Sequence, residues 1–121
     1  MGMETGKILD EQLSASSQWD ANHAIYQGRL DFQERVSNPR VSGSWSAGIN
    51  NQSQWKQVDL LCEESVVTSV ATQGRNSHSG WVASHHQWVK YYKLQHNNNG
   101  VNFKYYKDDR QSATIAKVRL N

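Results

Sequence analysis

A single cysteine, Cys62, excludes any disulfide within the chain. Glu63 and Glu64 follow it and disfavour a thiolate, so Cys62 reads as a free thiol rather than a nucleophile. No apolar run reaches the length of a membrane-spanning helix. Residues 1–13 lack the apolar centre of a secretion leader. Neither charge sign dominates: 13 basic residues face 11 acidic ones, for a net charge of +2. That balance, with no Lys/Arg-rich run, gives no sign of a nucleic-acid partner. No GxSxG, HExxH, Walker or dinucleotide pattern occurs, so nothing points to an enzyme. His78, His85 and His86 do not make a zinc set with Cys62, because adjacent histidines rarely face one ion. They read as solvated loop residues.

What is present is aromatic and strand-forming. Five Trp, five Tyr and two Phe sit in an otherwise hydrophilic chain of 121 residues, enough for one domain over residues 1–121. Residues 54–75 are the most strand-like. Trp55, Val58, Leu60, Val66, Val67, Val70 and Ala71 alternate with polar residues at a period near two. Residues 62–65 interrupt them, which predicts two strands. Residues 8–13 predict one helical turn, and residues 18–28 a long irregular loop. Short strands are expected at 29–32 and 112–120. Asn99-Gly100 predicts a tight hairpin turn between strands at 88–96 and 101–107. Trp45, Trp55 and Trp88 are expected in the core. Arg29 is expected to form a buried ion pair.

Six segments, in order, carry a family resemblance. QWKQVDL, the valine-rich strand and VATQGR resemble the centre of a discoidin domain, the C-type domain of coagulation factors V and VIII. GMETGKILDEQLSASSQW resembles that family's opening, and GRLDF and SGSW its next markers. QWVKYYKLQHNNNGVNFKYYKDD resembles the hairpin that follows. SSQW followed by GRLD is most similar to the metazoan branch, which includes collagen receptors. The resemblance implies an all-β fold: an antiparallel jelly-roll β-sandwich or distorted barrel, galactose-binding-domain-like. After residue 109 the family pattern continues with strands that have no counterpart, so one or two strands are expected to be missing. An open sheet edge, and self-association through it, are the expected consequences.

The family also implies a ligand surface of three loops at one end of the barrel. They correspond to residues 18–28, 41–48 and 75–87. The match carries over Trp19, His23 and Arg75 as contact residues; Asp20, Ile25 and Tyr26 in the first loop and Asn76, Trp81, Val82 and His85 in the third are further candidates from their own chemistry. An aromatic face with polar neighbours suits an extracellular glycan or glycoprotein. Apolar tips backed by Arg29, Arg35 and Arg75 suit an anionic phospholipid surface. Collagen is a further alternative, although Ser42 and residues 81–83 stand where collagen binders carry acids. A structural module with no working site is the reading from another class. No cofactor is expected except calcium, for which Asp20, Asn22 and Asp31 are the oxygen-bearing candidates. The family places the chain outside the cell or at its surface.

Overall fold

The computed structural model describes residues 7–35, 39–61, 66–75 and 87–106. Strand β1, Leu13–Ala15, pairs antiparallel with β2, Lys56–Val58, in the register Leu13↔Val58, Ser14↔Gln57 and Ala15↔Lys56. Backbone bonds extend the pair at both ends, from Asp59 N–H to Gln12 O (2.8 Å) and from Ser16 N–H to Trp55 O (3.0 Å). A 3-10 turn, Asp10–Gln12, leads into β1. It is closed by the Gln12 side chain, whose Oε1 accepts the Leu9 N–H at 2.8 Å. The helical turn expected at residues 8–13 is therefore present in its tighter form.

β1 packs against a second 3-10 turn, Ile25–Gly28. Ile8, Leu13 and Ala24 are the buried apolar residues among those described. Gln27 and Ser42 are buried with them, at 1% and 2% exposure. Arg29 Nε donates to Asp10 Oδ1 at 3.1 Å, and the Arg29 side chain is 14% exposed. The expected ion pair of Arg29 thus ties the end of the first loop to the turn before β1, but it is not buried, since the Asp10 side chain is 64% exposed.

β3, Gln95–His96, pairs antiparallel with β4, Lys104–Tyr105. This is the expected hairpin, with a different turn. Residues 97–103 form a wide loop instead of a two-residue turn. Asn97 Oδ1 accepts the Gly100 N–H (3.0 Å), and Asn99 Oδ1 accepts those of Val101 (3.1 Å) and Asn102 (3.0 Å). Asparagine side chains compete for backbone donors and so stabilise the wider loop. Gly100 does take the positive φ expected of it, +71°. The flanking strands are accordingly shorter than the expected 88–96 and 101–107.

Other expectations are corrected. Residues 18–28 are not structureless, because two 3-10 turns, Ala21–His23 and Ile25–Gly28, occupy them. Residues 29–32 form a turn instead of a strand: Phe32 N–H bonds Arg29 O at 3.3 Å, and Asp31 sits at φ 55°. Aspartate tolerates that left-handed backbone better than most residues. Of residues 54–75, only Lys56–Val58 is a strand among those described; residues 66–75 form no β-ladder with a described strand. Alternation alone does not hold a strand that nothing pairs with. For the same reason Trp55 and Trp88 are half exposed, at 50% and 53%, instead of lying in a core: no second sheet covers them among the described residues. The two sheets described have two strands each and close no barrel. The expected strand at 112–120, and Cys62, lie outside the described residues.

Candidate recognition surface

The serines of SSQW do the first work. Ser17 Oγ donates to Gln54 Oε1 (2.6 Å) and accepts the Gly48 N–H (3.0 Å). Ser16 Oγ accepts the Trp55 N–H at 3.0 Å and donates to the same Gln54 oxygen at 2.7 Å. One short polar run therefore anchors β2 and the second loop to the base of the first.

The first and second loops are then joined by backbone bonds. Trp19 N–H donates to Ser46 O at 2.8 Å, Ser42 N–H to Asn22 O at 3.0 Å, and Ser46 N–H to His23 O at 3.3 Å. The indole N–H of Trp45 reaches Ser17 O at 3.0 Å. The loops approach so closely that a Cβ on Gly48 would lie 2.7 Å from Gln18 O. Residues 18–28 and 41–48 thus form one braced rim.

On that rim the Trp19 side chain is turned outward, with the residue 68% exposed. Its backbone is fixed while its indole is free, which is how a contact residue is held ready. Next to it, Asp20 caps the Ala21–His23 turn. Its Oδ1 accepts the Asn22 N–H at 2.8 Å and meets His23 Nδ1 at 2.7 Å. The hydrogen bond from His23 is the main reason the Asp20 carboxyl lies below its usual 3.8. The second oxygen, Oδ2, accepts no bond from the described residues. Ile49 follows Gly48 on the same rim and is 59% exposed.

The other expected site residues are placed differently. Ile25 and Tyr26 are half-buried, and the Tyr26 ring packs edge-on against Phe32 at 6.4 Å. Arg75 is turned inward: its side chain is 10% exposed and lies 3.7 Å from the Glu34 carboxylate. Asn76, Trp81, Val82 and His85 lie outside the described residues. Of the calcium candidates, Asp20 and Asn22 share the capped turn, whereas Asp31 sits in the 29–32 turn with its N–H on Gln73 Oε1 at 2.7 Å. No three His, Cys, Asp or Glu side chains among the described residues are grouped to hold a metal ion. No described helix is long and apolar enough to cross a membrane. Sequence reasoning missed Ser46, Gly48 and Gln54 as braces, and Glu34 and Gln87 as partners of Arg75. Only the SGSW marker hinted at the second loop's part.

The described residues thus set two braced loops on an antiparallel sheet, in one outward-facing rim. The chain belongs to the F5/8 type C domain family, which it matches over residues 12–121. That membership makes its class a β-sandwich. It is 34% identical to coagulation factor V of Sus scrofa over 98% of the chain, which is 5% of that relative. It is 36% identical to the EGF-like repeat and discoidin I-like domain-containing protein 3 of Homo sapiens, over 92% of the chain and 22% of the relative. Lactadherin of Mus musculus is 30% identical, over 93% of the chain and 23% of the relative. The chain spans less than a quarter of the length of each.

Proposed function

We propose that this chain is a non-enzymatic recognition domain acting outside the cell or at its surface, and that it binds a glycan or glycoprotein through the rim centred on Trp19. The observation that carries this reading is the exposed indole on a backbone pinned to the second loop. A sugar ring offers a face of C–H groups to an aromatic and hydroxyls to a carboxylate. Trp19 supplies the first surface, and Asp20, held ionised and with Oδ2 taking no bond from the described residues, supplies the second. His23 orients that carboxylate. Closure of the sandwich into a jelly roll belongs to the same proposal, since loops at one end of such a barrel converge. Calcium would assist only by ordering the first loop, through Asp20 and Asn22.

A second reading, an anionic phospholipid surface, is favoured by Ile49, a second exposed apolar residue on the same rim. Against it stand the ionised Asp20 beside the indole and the engagement of Arg29 by Asp10. Collagen is disfavoured by Ser42, which is buried where an acidic contact would be needed.

The test is a glycan array with and without calcium, run on the wild type, Trp19→Ala and Trp19→Ala with Trp81→Ala. Vesicles with and without phosphatidylserine are run beside it at two salt concentrations. Trp19→Ala should weaken glycan binding at least about tenfold. Silence on the array with salt-sensitive binding to phosphatidylserine vesicles would transfer the function to the second reading. Silence in both would leave a structural module.

A further inference from the structure

Of the segment from Glu34 to Ser44, the recognition reading uses only the part from Val41 onward. Its backbone closes on itself through two bonds of 2.9 Å between Arg35 and Val41. That closure presents Glu34 inward, with its side chain 6% exposed. A carboxylate so enclosed must be paired. Arg40 Nη2 lies 3.4 Å from Glu34 Oε1, and Arg75 Nη2 lies 3.7 Å from the same oxygen.

Arg75 is held on its other side as well. Its Nη1 donates to Gln87 Oε1 at 3.1 Å, and its backbone N–H donates to Gln87 O at 2.9 Å. Residues 75 and 87 are the two ends of the third loop. Arg75 Nε is buried and meets no acceptor, so the charge of the guanidinium rests on Glu34. One terminal nitrogen of the guanidinium is thus within ion-pair distance of a carboxylate and the other is hydrogen-bonded to an amide, which restricts its orientation. With its side chain 10% exposed, little of it is left to offer a ligand.

We infer that Glu34 is a positioning residue: its buried carboxylate holds the Arg75 guanidinium, which through Gln87 fixes the two ends of the third loop instead of touching the ligand. The inference rests on the reading that the loops at this end form the contact surface. It assigns Glu34, ahead of the second loop, the task of setting that surface's third side.

The test has an arm that needs no ligand. Hydrogen exchange by NMR is followed at the amide of Arg75, with those of Trp19 and Asp59 as references, in wild type, Glu34→Gln and Gln87→Ala. Glu34→Gln should speed exchange at Arg75 at least about tenfold and leave Trp19 and Asp59 within about twofold. Gln87→Ala, a change at an exposed residue that leaves Glu34 paired, should give a smaller acceleration at Arg75 alone. Equal acceleration of all three amides in Glu34→Gln would mean that Glu34 only supports the fold. No acceleration would mean that it does not hold Arg75. Either result overturns the inference.

The second arm is the glycan array. Glu34→Gln and Arg75→Lys should both weaken binding, and each loss should accompany faster exchange at Arg75. Loss of binding in Arg75→Lys with exchange unchanged would make Arg75 a ligand contact and overturn the inference. An array on which the wild type binds nothing defeats the glycan reading alone. Exchange then decides the role of Glu34.

Discussion

Two parts of this molecule use their residues in opposite ways. Between Ile8 and Gly48 the chain crosses itself repeatedly, and every buried residue among those described lies there. Among the described residues between Val66 and Tyr106 most large apolar side chains face outward: Val66 is 84% exposed, Val101 76% and Tyr91 62%. The first part is poorer in large apolar side chains yet better fixed. Its order comes from serine hydroxyls, a capping aspartate and backbone bonds between loops, each with a donor and an acceptor in register. The second part has the composition of a core, but among the described residues no second sheet covers it. Burial follows from what lies opposite a residue as much as from what the residue is.

The comparison predicts unequal costs of mutation. Leu13 is 7% exposed and sits in β1 against the Ile25–Gly28 turn. Leu13→Ala should lower the unfolding free energy by about 3 kcal/mol in a denaturant titration. A loss below about 1 kcal/mol would mean that the braced part does not depend on its small apolar centre. Gly48→Ala comes next. Its Cβ would meet the Gln18 carbonyl at 2.7 Å, and a backbone atom cannot step aside as a flexible side chain would. The expected cost is about 2 kcal/mol, with weaker ligand binding because the two loops are pushed apart. Full stability with unchanged binding would break the picture of a joined rim.

A smaller effect is expected from pH. The Asp20 carboxyl lies below 3.8 because it accepts from His23 first and from backbone N–H groups after that. A carboxyl lowered by folding contributes stability that is present above 3.8 and is lost as pH falls through its lowered value. Wild type should therefore exceed Asp20→Asn in stability near pH 6, and the difference should fade below about pH 4. The residue is exposed, so the gap will be small. Carboxyl NMR of Asp20 checks the direction on its own, since a midpoint at or above 3.8 would contradict it.

Several of these features were legible before any coordinates. SSQW, GRLDF, SGSW and TQGR mark the family, and Arg29 was expected in an ion pair, which an exposed Asp10 completes. Asn99-Gly100 marked a hairpin. Its turn was misjudged because the side chains of Asn97 and Asn99 bind backbone donors, an option that dipeptide preferences ignore. The 3-10 turns at 21–28 escaped notice because each is too short to show a period. The first had a signal in Asp20 two residues before Asn22, a capping arrangement, and the second has no capping side chain. Glu34 and Gln87 were invisible as partners of Arg75 because pairs separated by 41 and 12 positions leave no local pattern.

Val66 should show the smallest effect, and it tests the exposed side of the comparison most directly. Alternation with Thr68 and Val70 predicts a buried face at residues 66–72, yet Val66 is 84% exposed and Val70 47%. A residue already in water loses little when it becomes polar. Val66→Ser should therefore change stability by no more than about 0.5 kcal/mol at low protein concentration. Repeating the measurement across a range of concentrations adds a second outcome. If the cost of Val66→Ser rises with concentration, a second copy covers this side, as an open sheet edge would invite. Sedimentation of the wild type should then show association that the variant has lost. If the cost is large and independent of concentration, Val66 is covered within its own chain, and the contrast between the two parts disappears.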